Sequence, residues 1–165
     1  MQKHSGFTLM ELMITIAIIS IMAAIAVPGF IGWLPKYRLG NAARDILSVV
    51  EKARMEAVKR NTSVGLAFNT GSDSYTLWID DGAGGGTADD AAQNGTESTV
   101  GAGQLAAGID MTAAIFGANP QFRFNGMGIP IRTDTLPGGG TVTVINQLGD
   151  SRTITVSKGG NSSIQ

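Results

Sequence analysis

The 165-residue sequence contains no cysteine and a single histidine, His4. Without cysteine there is no disulfide framework and no thiolate metal site. One histidine leaves almost no material for histidine-based acid–base or zinc chemistry. Charged residues make up 15% of the chain and the formal net charge is −1, so charge indicates no nucleic-acid or acidic partner. Serine and threonine are plentiful, but no base is available to activate one as a nucleophile. We therefore expect no enzyme, no cofactor and no metal site.

The longest uncharged stretch runs from Leu12 to Leu34 and contains 23 residues. As a helix it would be about 34 Å long at ~1.5 Å per residue. Because a bilayer core is about 30 Å thick, the run can span a membrane. Pro28 predicts a kink, since proline removes a helix hydrogen bond and clashes with the preceding turn. Proline and glycine are also common in membrane helices, where neighbouring helices tolerate them.

An ordinary secretory signal peptide is an alternative interpretation of this segment. Lys3 gives a basic start, and Ala24-Ile25-Ala26 has the form of an A-x-A cleavage site. Glu11 at the head of the apolar region argues against it, as does the continuation of the run beyond Ala26. In that alternative the chain would be a secreted soluble β protein.

The first eleven residues, MQKHSGFTLME, form a short basic leader ending in Gly6, followed by Phe7 and, after three more residues, Glu11. This pattern resembles the prepilin signal, G-F-T-L-x-E, of type IV pilins and type II secretion pseudopilins. The resemblance implies cleavage between Gly6 and Phe7 by the prepilin peptidase and N-methylation of Phe7. It also implies that Glu11 pairs with the N-terminal amine of a neighbouring subunit during assembly.

Physical chemistry supports a paired Glu11, because a carboxylate within hydrocarbon costs about 2.5–3.5 kcal/mol on insertion scales. The alternative for the free subunit is that Glu11 lies at the headgroup interface.

Beyond the apolar run, the pattern changes to an amphipathic helix over residues 36–61 and then to strands. Apolar residues from Leu39 to Val58 recur at steps of three and four, which predicts a helix that packs on a soluble head. Alternating apolar runs then predict strands at Ser63–Asn69, Ser74–Asp80, Met111–Phe116, Phe122–Phe124, Gly128–Arg132, Thr141–Gln147 and Arg152–Ser157.

Residues 81–108 are rich in glycine, alanine and aspartate and are expected to form a long exposed loop, with a short strand near Thr99–Leu105. The loop and the residue before it carry five acidic residues, which we expect to be solvated rather than to bind Ca²⁺: Asp80, Asp81, Asp89, Asp90 and Glu97. The polar tail, residues 158–165, is expected to be flexible.

Three segments resemble the GspH/FimT group of minor pilins and pseudopilins: Arg54–Asn61 leading into Val64-Gly65-Leu66, the F-x-x-x-G element Phe124–Gly128, and the closing hairpin Thr141–Ser157. Members of that group often end in a Gly-Arg-apolar signature. Residues Gly159–Ile164 contain no arginine, so no role can be placed on one here.

Together these patterns predict a pilin-like α+β fold with five segments. They are a leader (1–6), a transmembrane and assembly helix (7–35), an amphipathic helix (36–61), a periplasmic antiparallel β head (62–157) that presents the 81–108 loop outward, and the tail (158–165). The resemblance implies a minor structural subunit of a pseudopilus or pilus. Its partners would be other pilins, the prepilin peptidase and the assembly platform. The subunit would first be a single-pass inner-membrane protein with a periplasmic head. An adhesive or DNA-capturing minor pilin is the alternative, although the scattered basic residues do not indicate DNA binding.

Overall fold

A computed structural model describes residues 7–165, so the predicted leader with Gly6 lies outside the described residues. The chain forms two compact units, Met1–Leu34 and Pro35–Gln165, and we call the second the head unit. A single helix, α1, spans Leu9–Arg60. The strands are β1 (Ser63–Asn69), β2 (Ser74–Asp80), β3 (Thr99–Gln104), β4 (Ile109–Ile115), β5 (Gln121–Phe124), β6 (Pro130–Arg132), β7 (Gly140–Asn146), β8 (Ser151–Val156) and β9 (Ser162–Ile164). The predicted α+β fold class is confirmed.

The strands form two antiparallel sheets. The five-stranded sheet has the order β3-β2-β1-β5-β6, and the four-stranded sheet has the order β4-β7-β8-β9. Asp73, in the β1–β2 turn, links the two sheets: its side-chain oxygen accepts the Met111 N–H of β4 at 2.7 Å. Its backbone carbonyl accepts the Leu105 N–H at 2.8 Å. One turn residue therefore fixes the position of the chain as it passes from one sheet to the other.

The core of the head unit lies between the second half of α1 and both sheets. A stripe of α1 residues with helical spacing is buried there: Leu39, Ala42, Ala43, Ile46, Val49, Val50, Ala53 and Ala57. They join strand residues in one apolar cluster whose members all lie between Leu39 and Val156. Four phenylalanines pack in series within it, and the Phe116 and Phe122 rings stack with centroids 4.1 Å apart. The alternation predicted from the sequence thus supplies a core that belongs wholly to the head unit.

The helix ends at a left-handed residue. Asn61 has φ 49°, a conformation that asparagine tolerates better than most residues. The Thr62 N–H donates to the Ala57 carbonyl and the Asn61 N–H donates to the Val58 carbonyl, each at 3.3 Å. These two bonds form a Schellman motif, which satisfies carbonyl groups that would otherwise be left free at the helix end.

The face of the five-stranded sheet away from the core is also covered in part. Gly65 pairs with Trp78 across β1 and β2. It alternates along β1 with Val64 and Leu66, which belong to the core, so Trp78 points to the opposite face. Trp78 is nevertheless only 1% exposed. A Cβ at Gly65 would lie 2.3 Å from the Trp78 indole, so the indole occupies the space left by the missing side chain.

The segment after β2 is fastened to that face, so the expectation of solvated carboxylates is wrong for Asp80 and Glu97, although Asp81 and Asp89 are exposed as predicted. Asp80 lies on the Trp78 face, is 1% exposed and accepts the N–H groups of Asp89 and Ala91, each at 2.9 Å. Glu97 is 6% exposed and accepts the N–H groups of Gly82 at 3.0 Å and Asn94 at 2.9 Å. Two buried carboxylates therefore organise residues 81–97, and β3 follows directly. The predicted short strand corresponds to β3.

The tail prediction is wrong for the last residues of the chain. β9 pairs with β8 as the edge strand of the four-stranded sheet. The Gln165 N–H donates to the Thr153 carbonyl at 2.8 Å, and the Thr153 N–H donates to the Gln165 carbonyl at 3.1 Å. Arg54 of α1 holds the preceding turn by donating to the Gly160 carbonyl at 3.1 Å, and Ser162 donates to Glu51 of α1. Ordered pairing thus extends to Gln165.

Candidate processing and assembly site

The N-terminus of α1 is closed by Thr8 and Glu11. The Thr8 N–H and hydroxyl both donate to Glu11 Oε2 at 3.0 Å. In return, the Glu11 N–H donates to Thr8 Oγ1 at 3.2 Å. This reciprocal arrangement is a capping box, in which a threonine and a glutamate three residues later satisfy backbone donors that have no partner in the helix. Sequence analysis singled out Glu11 but not Thr8, although the T-x-x-E spacing is itself a readable capping signal.

The cap defines what Glu11 can do within one subunit. Its carboxylate has hydrogen-bond donors inside its own chain, so the free subunit does not carry an unpartnered carboxylate. Phe7 is the residue immediately before the cap and its side chain is 84% exposed. An amine created at Phe7 would therefore lie one residue before Thr8, whose N–H and hydroxyl both donate to Glu11 Oε2.

The apolar run forms helix throughout and presents its side chains outward. Large apolar residues along it are exposed, from 38% at Leu34 to 77% at Ile25. The two hydroxyls in the run are satisfied internally: Thr15 donates to the Leu12 carbonyl and Ser20 to the Ile16 carbonyl, each at 2.8 Å. The run therefore presents no unsatisfied hydroxyl to lipid or to a neighbouring helix, where such a group would be costly.

Pro28 lies inside α1, which is helical on both sides of it. The kink predicted there remains a prediction. At ~1.5 Å per residue, Pro28 lies about 26 Å along the helix from Glu11, so these two predicted site residues are not brought together. Phe7, Thr8 and Glu11 do lie together, because they occupy the N-terminal end of α1.

A second polar group, which sequence analysis did not identify as a unit, lies in the head unit around Arg123 of β5. The Arg123 guanidinium donates to Asp89 Oδ1 at 3.0 Å and to Ser63 Oγ at 2.8 Å, and its Nε is 4.0 Å from Asp80 Oδ2. Ser63 also donates to Asp89. Burial raises the pKa of Asp80, while the N–H donors of Ala91 and Asp89 act in the opposite direction. The alternation of SYTLWID, which places Asp80 with Trp78, was the available signal.

The Arg123 group borders a polar cavity of about 400 Å³ that Asn61, Asp81 and Met127 also line. Its serine hydroxyl donates to Asp89 and accepts from Arg123, so both of these contacts hold Asp89 against the sheet. Among residues 7–165, no group of histidine, cysteine, aspartate and glutamate side chains is arranged to hold a metal ion. The contacts instead fasten the segment after β2 to the sheet.

Comparison with known protein families shows which family the chain belongs to. The family model for the type II transport protein GspH matches residues 42–160, most of the head unit. The chain belongs to the GspH family. A second model, the prokaryotic N-terminal methylation motif, matches residues 1–27 of this GspH-family protein. Helix α1 is long and apolar enough to cross a membrane, by length and composition. Together with the family, it indicates membrane anchoring and a place in a pilus or pseudopilus.

Relatives and solved structures agree with this assignment. The pilin-like protein PilA1 of Thermus thermophilus is 37% identical over 81 residues, which cover 47% of this chain and 49% of the relative. The chain therefore matches about half the length of that relative. The fold is that of the type IV minor pilin FimU of Pseudomonas aeruginosa, with a TM-score of 0.57 at 14% identity over 79% of this chain and 90% of that one. The minor pseudopilin EpsH of Vibrio cholerae gives a TM-score of 0.55 at 13% identity over 78% and 96%.

These comparisons confirm the predicted superfamily. The protein is a member of the type IV pilin and pseudopilin superfamily, and its family is one of structural subunits rather than one known for catalysis. The comparisons concern the head and the N-terminal motif as wholes. The roles of Gly6, Phe7, Glu11 and Pro28 remain predictions.

Proposed function

We propose that this protein is a minor subunit of a type II secretion pseudopilus or type IV pilus, matured by prepilin peptidase between Gly6 and Phe7. The observation that carries the proposal is the difference between the two halves of α1. Its first half is an exposed apolar surface with internally satisfied hydroxyls, and its second half is buried in a self-contained core. The first half can move from lipid into a bundle of similar helices, because van der Waals packing and polar contacts drive such association.

Glu11 is proposed to exchange partners during assembly. In the free subunit Thr8 satisfies its carboxylate. In the filament, the methylated amine of Phe7 on a neighbouring subunit takes that place. A buried ion pair contributes little net stability but defines register well, since an offset neighbour would leave the charge unpaired.

The proposed topology places the leader in the cytoplasm and the head in the periplasm, with the assembly platform and sibling pilins as partners. DNA capture is not proposed for the described surface. Arg123 is mostly buried against Asp89, and Arg132 pairs with Asp134 at 2.6 Å. These pairings occupy both guanidinium groups and make them unavailable for contacts with DNA phosphates.

The decisive experiment is the mass of the mature N-terminus after co-expression with a prepilin peptidase. We expect a chain that begins at N-methylated Phe7, and an unprocessed chain when the peptidase is omitted. A chain beginning at Val27 in both cases would instead indicate an ordinary signal peptide and would refute the proposal.

Assembly is tested separately with Glu11→Gln. We expect normal processing but reduced recovery of the subunit in sheared filaments, because the neutral amide cannot pair with the amine. Glu56→Gln is the matched control, since Glu56 lies on the same helix and pairs locally with Arg60 at 2.8 Å. Equal filament recovery for both variants would contradict the role proposed for Glu11.

A further inference from the structure

One end of the head unit gathers exposed basic side chains. Lys36 and Arg152 border a common cavity of about 360 Å³ with Leu39 and Asp150. Arg38 lies on the same part of α1 and donates from its guanidinium to the Ala107 carbonyl at 3.2 Å. We call the surface formed by Lys36, Arg38, Leu148, Asp150 and Arg152 the basal surface.

Within the described part of the chain, the basic side chains of the basal surface form no ion pair with a carboxylate. Among residues 7–165, the ion pairs involve Arg60, Arg123 and Arg132, and none involves Lys36, Arg38 or Arg152. Asp150, which shares the cavity, instead accepts a hydrogen bond from the Asn146 side-chain amide at 3.0 Å.

The charge balance of the basal surface is positive even when nearby acids are counted. Three cations face Asp150 and the exposed Asp110 at the start of β4, which leaves a net charge of +1. The cavity at the C-terminal end of α1 has the opposite balance among its lining residues, because Asp80, Asp81 and Asp89 outnumber Arg123 and give −2. The head unit is therefore electrically asymmetric along α1.

The basal surface also carries an exposed apolar residue. Leu148 is 55% exposed at the tip of the β7–β8 turn. That turn is held rigidly, since Asn146 Oδ1 accepts the N–H groups of both Leu148 and Asp150 at 2.9 Å. A fixed leucine beside unpaired cations is the combination that interfacial membrane contacts use, with the apolar group below the headgroups and the charges among them.

The positions of Lys36 and Arg38 in the sequence indicate which ligand the basal surface meets. Lys36 follows the last residue of the apolar run, Leu34, by two positions. If that run spans the bilayer, Lys36 and Arg38 emerge in the headgroup layer, where lipid phosphates are the most concentrated anions. Trp33, 54% exposed, and Tyr37, 50% exposed, flank Lys36 in the sequence, and aromatic side chains are favoured at the membrane interface.

We propose that the basal surface binds the headgroup phosphates of anionic phospholipids and holds the head on the bilayer before the subunit enters a filament. The inference rests on the membrane span in the proposed function. Phosphate oxygens accept hydrogen bonds from lysine and arginine, and each basic residue at an anionic surface strengthens binding about fivefold. The attraction is electrostatic and is weakened by salt.

The test uses the full chain in nanodiscs of phosphatidylcholine alone or of phosphatidylcholine mixed with phosphatidylglycerol. An amine-reactive reagent labels exposed lysines, and peptide mass spectrometry measures the rate at each one. Lys59 is the internal reference, because it is exposed and lies about 35 Å from Lys36 along α1 at ~1.5 Å per residue. We expect phosphatidylglycerol to slow labelling of Lys36 several-fold relative to Lys59, and added salt to reverse the effect.

Variants and controls separate the possible outcomes. Arg152→Gln should reduce the lipid-dependent protection of Lys36, whereas Arg44→Gln, on an exposed part of the same helix, should not. Equal labelling of Lys36 in both lipid mixtures overturns the proposal. So does equal protection in phosphatidylcholine discs by added inorganic phosphate, which would identify a free-phosphate site. A chain that fails to associate with either disc would instead count against the membrane span itself.

Discussion

Gly65 provides the sharpest test of how the outer face of the five-stranded sheet is packed. The substitution Gly65→Ala adds one methyl group at a position where its Cβ would lie 2.3 Å from the Trp78 indole. Trp78 is 1% exposed, so the ring cannot swing into solvent without opening its surroundings. Overpacking of this kind costs about 1–3 kcal/mol. We therefore expect Gly65→Ala to lower the free energy of unfolding of the head by about that amount.

The control is the same chemical change where no neighbour interferes. Gly40 lies inside α1, and a Cβ there meets no atom within 4 Å. Alanine is better than glycine in a helix interior by about 0.5–1 kcal/mol, so Gly40→Ala should stabilise the head. The two glycine-to-alanine changes should thus have opposite signs.

The assay is urea unfolding of a fragment beginning at Pro35, which contains the whole apolar core. Trp78→Leu provides the second arm, because a smaller side chain makes room for the new methyl. In the Trp78→Leu background, Gly65→Ala should lower the free energy of unfolding much less than it does in the wild type. The effects of the two substitutions should therefore not be additive. A stabilising Gly65→Ala in the wild-type background would show that the indole does not occupy that space, and the packing argument would be refuted.

Two further predictions concern contacts that fasten the chain to its scaffold. Because burial raises the pKa of Asp80, the folded head binds this proton more tightly than the unfolded chain. The stability of the wild type relative to Asp80→Asn should therefore be greatest below the ordinary pKa of aspartate and should fall as pH rises through the raised value. Urea unfolding of both proteins across that range measures the difference, and an increase with pH would contradict the assignment. Separately, Arg54→Met removes the donor to the Gly160 carbonyl and should destabilise the β9 turn by about 1–2 kcal/mol. Hydrogen exchange should then quicken at Gln165, and equal quickening in Arg44→Gln would show that the Arg54 contact is not responsible.

Local patterns in the sequence predicted much of the head. The bounds of β1 and β2 match the predictions Ser63–Asn69 and Ser74–Asp80, because clean alternation flanks a short glycine-containing turn. The predictions for β7 and β8 were each displaced by one residue, within the usual uncertainty of strand ends. In these elements the local signal and the tertiary structure agree.

The segment after β2 shows where local reasoning stops. Its composition is that of a solvated loop, and nothing within residues 81–97 alone indicates burial. The organising groups are Asp80, which lies on the strand before it, and Glu97 at its end. Their partners are backbone N–H groups, which every residue possesses, so side-chain identity carries no signal of the pairing.

β9 was missed for a related reason. The sequence Ser162–Ile164 is short and polar, and a three-residue strand has no periodicity to detect. Its partners are the β8 backbone and the side chains of Glu51 and Arg54, which lie more than 100 residues earlier. At the N-terminus the prepilin-like motif was recognised by resemblance, whereas the T-x-x-E spacing of the Thr8–Glu11 cap was present in the sequence but not interpreted as a cap.

The attachment of β9 to α1 has a consequence for the order in which the head can fold. Glu51 and Arg54 precede their partners in the 159–162 turn by more than 100 residues. Contacts between such distant positions close late, because the intervening chain must already be arranged. A nascent head therefore keeps an open sheet edge beside α1 until residues 159–165 emerge. Deletion of residues 162–165 would leave the β8 edge unpaired, and an unpaired edge favours aggregation.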